Sequence, residues 1–172
     1  MLNTSLFRRI ELQLLMNLTA RAFQKPSRRL WTHSNDEALR IYAEYTSDHL
    51  REGTDEALLQ RMEHEAFRMG RFVRKAFLVR KPAKAERFIV ALYHNIGIDV
   101  AFSDSRHLIF QCCYFSLYYT PAVCLVASAL DNGIIRGITG QTASRLIFNE
   151  RITEGCVHCQ ATFQENHQNK QI

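Results

Sequence analysis

Apolar residues recur at intervals of three and four along the first half of the chain, and the interval shortens to two after Gly97. Between Leu2 and Phe23, the positions Leu6, Ile10, Leu14, Leu18 and Ala22 form a stripe, widened by Leu15 and Phe23, which predicts an amphipathic helix with that stripe inward. The pattern breaks from Pro26 to His33. Ser34 and Glu37 then carry a capping-box spacing, in which each side chain can satisfy the other's free backbone amide, so a second helix starts there. It carries Leu39, Tyr42, Ala43 and Leu50 and ends near Gly53, with Thr54 as the expected cap of a third helix. In that third helix Leu58, Met62, Ala66, Met69, Val73 and Ala76 fall on one face. Gly70 interrupts it at a cost of about 1 kcal/mol relative to Ala, which either marks the close approach of another element or is simply tolerated. Pro82 introduces a fourth helix, Lys84 to Asn95, with Phe88, Ile89 and Leu92 inward and Gly97 as its stop.

Beyond Gly97, Ile98, Val100 and Phe102, then Leu108 and Phe110, alternate with polar residues around Asp104 and Ser105, which predicts a β-hairpin. A helix follows from about Ala122 to Ile138. Along it Ala129, Gly133 and Gly137 make a ladder of small residues suited to close packing on the domain's own sheet or on a second subunit of a homodimer. Two further strands are expected, through Leu146, Phe148 and Ile152 and from Val157 to Phe163, before a polar tail from Gln164 to Ile172. The order of helices, hairpin, helix and two strands defines an α+β fold in which N-terminal helices pack on a small antiparallel sheet. By this reading residues 1–57 form a helical extension, 58–163 the α/β core and 164–172 a flexible tail.

The 172 residues are 47% hydrophobic and 23% charged, with no low-complexity segment, which suits one folded domain and excludes a disordered chain. No apolar run approaches the ~18–20 residues that cross a bilayer, the longest being Pro121 to Leu130. Arg8 and Arg9 inside the N-terminal apolar pattern argue against a secretory signal. Five cysteines without export imply free or metal-bound thiols in a reducing compartment, and hence a cytoplasmic protein. The net charge of +5 falls short of a nucleic-acid footprint. Its excess gathers at Arg8, Arg9, Arg21, Lys25, Arg28 and Arg29, either as the solvated face of a docked helix or as an arm for a membrane surface or acidic partner.

Three stretches resemble one superfamily. "LLQRMEHEAFRMGRFVRKAF" (58–77) is similar to the long helix of TRAPP vesicle-tethering subunits and their bacterial relatives. "ERFIVALYHNIGIDVAFSD" (86–104) resembles the helix, glycine and strand that follow. "CLVASALDNGIIRGITGQTASRLIFNERITEGCVHCQATF" (124–163) resembles both the glycine-bearing TRAPP helix with its strand pair and the C-terminal half of 4-vinyl-reductase domains. The resemblance covers roughly 58–163 and implies a domain, often dimeric, that binds a small apolar ligand or a protein partner in a cavity between helices and sheet. It also touches 2-amino-thiazoline-4-carboxylate hydrolase-like proteins, which implies a cysteine- or zinc-dependent hydrolase as the alternative, and a scaffold subunit assembling through its helices as a third reading.

Cys156 and Cys159 in "CVHC" have the spacing of half a tetrahedral metal site. By the resemblance to zinc-bearing 4-vinyl-reductase domains, Cys124, Glu150 and Cys159 match three of four ligands of a structural zinc. The remaining position is Arg151, which cannot ligate, so Cys156 would have to supply the missing sulfur; otherwise these are buried free thiols. A hydrolase would use Cys113 or Cys124 as nucleophile with His107 or His158 as base, because a thiol at neutral pH needs activation. Cys112 and Cys113 are adjacent in a strand, so only one of them can face the core. Tyr114, Tyr118 and Tyr119 could line a ligand cavity with phenol tips in an apolar wall, or be ordinary core.

Overall fold

A computed structural model of the chain describes residues 4–51 and 55–165. Five helices precede and interleave with four strands: α1 (Thr4–Phe23), α2 (Asn35–Arg51), α3 (Glu56–Ala76), α4 (Pro82–Asn95), β1 (Ile98–Phe102), β2 (His107–Cys113), α5 (Pro121–Thr139), β3 (Ser144–Glu150) and β4 (Cys159–Glu165). Short 3-10 turns at Tyr114–Leu117 and Ile152–Glu154 lead into α5 and β4. The α+β fold read from the sequence is the observed one. The sheet is antiparallel throughout in the order β1-β2-β4-β3, so the last strand inserts between the hairpin and β3.

Local chemistry sets the element boundaries. Ser34 Oγ accepts the Glu37 amide at 3.3 Å at the start of α2, as the capping-box spacing predicts. The cap of α3 is Asp55, whose carboxylate accepts the Leu58 amide at 2.6 Å; the expected Thr54 cap and the Gly53 stop lie outside the described residues. Thr120 caps α5 and Gly140, at φ +80°, ends it in the left-handed region. Asp104 closes the hairpin by accepting the amides of Arg106 and His107 at 2.7 and 3.0 Å. Gln164 and Glu165, assigned to the tail by sequence, extend β4, while Val157 precedes it; the rest of the expected tail lies outside the described residues.

Alternate residues are buried along β1, β4 and the first part of β2, and Ile98, Val100, Leu108, Phe110, Leu146, Ala161 and Phe163 form the inward face. Helix α4 packs on β1, and α5 on β3. Helix α5 is also clamped to α3, and there the small-residue ladder finds its partner. A Cβ on Gly133 would meet the Ala66 Cβ at 2.6 Å, and one on Gly137 would meet the Phe67 carbonyl at 2.6 Å. The ladder therefore faces α3, and neither the sheet nor a second subunit is its partner. Gly70 is the matching position on α3, which resolves its cost in favour of close approach.

Two sequence readings are corrected here. In α1 the predicted stripe is inward in its second half, at Leu15, Leu18, Ala22 and Phe23, but in the first half Leu12 and Met16 are inward and Leu6, Ile10 and Leu14 are exposed. Glu11 is buried as well, and so is Gln13, which holds the Leu30 amide and the Arg28 carbonyl of the following loop. The second concerns α5, which, counted through Asp131 and Arg136, is long and apolar enough to cross a membrane by length and composition. Its most apolar window is 56% buried inside the molecule, between α3 and the sheet. One buried cluster joins residues of α1 and α2 to those of the 58–163 segment, so the N-terminal helices share its core.

Candidate functional site

A cavity of about 90 Å³ lies where α4, α5 and the sheet converge with α1 and α2. That is several times the ~10–15 Å³ one water needs. Its walls are apolar over most of their extent: Leu15, Leu92, Ile98, Phe110, Ile134 and Phe148 contribute from six elements. Helix α5 supplies one long side of it, because Cys124, Ala127, Ser128, Asp131 and Ile134 recur at helical spacing.

Two carboxyl groups interrupt this surface. Asp131 accepts one hydrogen bond, from the Tyr93 hydroxyl to Oδ1 at 2.8 Å. Burial pushes its pKa up to about 6, against the lowering effect of that bond. Glu11 is 4% exposed and takes the Asn95 side-chain amide on Oε2 at 3.0 Å, while its Oε1 is buried with no hydrogen-bond partner. Burial raises its pKa to about 8, against the Asn95 bond and the nearby Arg8. Arg151, the cation among the lining residues, is engaged elsewhere: it donates to Glu154 at 3.2 Å and lies over the Phe148 ring.

Three of the cysteines line the same cavity. Cys113 ends β2 on its inner face while Cys112 is exposed, because a bulge in the pairing with β1, between Phe110 and Cys112, reverses the alternation that Leu108 and Phe110 set. Cys124 opens α5, and Cys159 starts β4, where its sulfur accepts the Ile152 amide at 3.3 Å. Burial pushes the Cys113 thiol up to about 12 and the Cys159 thiol to about 11, and raises Cys124 as well, so these groups stay protonated at neutral pH.

The zinc set proposed from the sequence is divided. Cys124 and Cys159 share the cavity, Glu150 pairs with His158 at 3.4 Å, and Cys156 sits in the turn where its amide donates to the Arg151 carbonyl. Among the described residues no group of three or more His, Cys, Asp and Glu side chains is arranged to hold a metal ion. The hydrolase pairing is divided too. Cys113 and Cys124 line the cavity, but His107 is bonded to Asp104 at the hairpin turn and His158 to Glu150, and neither imidazole is on the cavity wall. Of the three tyrosines expected there, Tyr119 lines the cavity, whereas Tyr114 and Tyr118 bond to each other through their hydroxyls at 3.0 Å.

Sequence reasoning passed over Glu11, Tyr42, Tyr93 and Asp131. A signal for Asp131 was present: it is the acid in an otherwise apolar α5, one and two turns beyond Ala127 and Cys124 on the same face. Compared with known proteins, the chain matches no family model and no curated sequence.

Proposed function

We propose that this domain binds a small, largely apolar molecule in the cavity between its helices and its sheet. The observation that supports it is the cavity itself. Protein interiors pack to the density of organic crystals, and an unfilled space of this size lowers stability, so a fold that maintains one beneath its longest apolar helix has a use for the room. The apolar lining with a few converging polar groups has the composition of a small-molecule site. The resemblance to 4-vinyl-reductase domains and TRAPP subunits is consistent with this reading, since it implies a cavity in the same place. In this reading the protonated thiols of half-buried Cys113 and Cys124 and of buried Cys159 serve as polarisable wall.

Toluene is a suitable first probe, because it matches the apolar walls and carries no polar group. Titrated into the protein and followed by amide and methyl NMR shifts, it is expected to perturb resonances around Phe110, Ala127, Ile134 and Phe148. Ala127→Phe, which fills the cavity from α5, is expected to abolish those shifts in a protein that remains folded. An absence of shifts up to the solubility limit of toluene, or an undiminished response in Ala127→Phe, overturns the reading.

A further inference from the structure

The polar groups of the cavity do not form a self-sufficient set. Asp131 has two carboxylate oxygens and a single hydrogen bond, from Tyr93, and among the described residues no cation pairs with it. Glu11, on the same cavity, keeps Oε1 buried and unpartnered. Arg151, whose charge could have balanced them, pairs through Nη1 with Glu154, while its Nε is buried without a partner. A carboxylate taken out of water without a counter-charge is costly. Natural interiors satisfy such groups from within or leave them for a ligand.

We propose that the ligand of this cavity carries a basic nitrogen, whose N–H groups are received by the free oxygen of Asp131, with the carbonyl oxygen of the Glu11 carboxyl group, on α1, as a second acceptor. The inference rests on the cavity-binding reading above and adds the chemical class of the occupant: a small apolar amine. Geometry favours nitrogen over a hydroxyl for two reasons. The site offers acceptors on two different elements, and an ammonium has three donors to distribute where an alcohol has one. The carboxyl of Asp131, with its pKa near 6, is mostly ionised at neutral pH, so the bond it makes to an ammonium is charge-assisted at both ends. Tyr93 acts as a positioning residue: its hydroxyl occupies Oδ1 and so orients the carboxylate toward the cavity.

Benzylamine and benzyl alcohol test this, because they are nearly isosteric and differ in the charge and donor count of the terminal group. Both are titrated into the full chain at neutral pH alongside toluene, with the wild type and Asp131→Asn. Asparagine keeps the shape and the acceptor for Tyr93 while removing the charge. Benzylamine is expected to bind the wild type at least ~10-fold more tightly than benzyl alcohol, the margin a charge-assisted hydrogen bond adds over a neutral one. In Asp131→Asn that advantage is expected to vanish while toluene affinity persists, which also shows that the variant is folded with its cavity intact. Equal affinity of the amine and the alcohol for the wild type, with toluene still binding, overturns the amine inference and leaves the cavity reading standing. Failure of all three probes overturns both.

Discussion

The Cα of Gly137 on α5 lies 2.9 Å from where a Cβ on Gly70 of α3 would sit, and the reverse distance is 2.8 Å. The two helices touch through backbone at this crossing, with the Ile134 carbonyl against the same side of Gly70. A methyl group added to either glycine meets main-chain atoms that cannot rotate away. Helix propensity alone would make Gly70→Ala favourable by ~1 kcal/mol. Overpacking opposes it by ~1–3 kcal/mol in the better-tolerated cases, and this contact is tighter than those. Gly70→Ala and Gly137→Ala are each expected to lower the urea midpoint with little change in slope, whereas Gly155→Asn, at φ +92° with open space around it, is expected to stay within ~1 kcal/mol of wild type. A stabilised Gly70→Ala would contradict the helix crossing.

Much of this architecture was legible before any coordinates, and the reasons differ by element. The period of α3 and the alternation through Val100 and Phe110 are direct records of one-sided burial, so Leu58, Met62, Ala66 and Val73 were read inward as they lie, although Ala76, at the last turn of α3, is exposed. The first half of α1 was misread because the helix is apolar around most of its circumference, with Leu6 and Ile10 exposed as surely as Leu12 and Met16 are buried. No period can choose a face in such a helix. The partner of the glycine ladder was invisible for a related reason: small residues announce a close approach without saying what approaches. The cavity thiols were marked as candidates from spacing, but the acids that share their surroundings come from α1 and α5, and only the tertiary fold brings Glu11 and Asp131 to one space.

These two acids should make stability fall as pH rises. Glu11 moves from an ordinary 4.5 to about 8 on folding, and Asp131 from 3.8 to about 6. Between the unfolded and folded values the unfolded chain has lost a proton that the folded chain keeps, so stability is fully present below the unfolded value and is lost as pH climbs through the folded one. The slope is ~1.4 kcal/mol per pH unit for each such proton. From pH 6 to 8 the falling part belongs mainly to Glu11, since Asp131 titrates near the lower limit. Unfolding free energies of wild type and Glu11→Gln over that range are expected to converge at low pH and separate at high pH, with the variant flatter. Parallel curves would show that Glu11 is not held protonated by the fold.

The thiols give a labelling pattern. Burial keeps Cys113, Cys124 and Cys159 protonated, and thiolate is the species that alkylates. Cys112 is exposed. Iodoacetamide at mildly alkaline pH, followed by peptide mass spectrometry, is expected to label Cys112 first and the three cavity thiols only as the protein unfolds. A rapidly labelled Cys113 or Cys124 would instead restore the nucleophile that the hydrolase alternative requires.

Tyr93→Phe isolates the bond that orients the cavity carboxylate. Tyr93 is 1% exposed, and its hydroxyl is the group that offsets part of the burial penalty on Asp131. The ring survives in the variant and keeps its edge contact with Phe110, centroids 5.8 Å apart, so packing changes little. What is lost is a hydrogen bond to a buried acceptor, a cost of ~1–3 kcal/mol when that acceptor is left unsatisfied. With the lowering influence removed and the desolvation unchanged, the Asp131 pKa is expected to rise further above 6, read from its side-chain carboxyl carbon by NMR titration. The stability loss should accordingly be smaller at acid pH, where Asp131 is protonated in both proteins, than at neutral pH, where the variant holds its carboxyl group without a donor. A Tyr93→Phe protein whose Asp131 titrates as in wild type would show that this hydroxyl does not govern the carboxylate, and that the orientation of Asp131 is set by the α5 backbone alone.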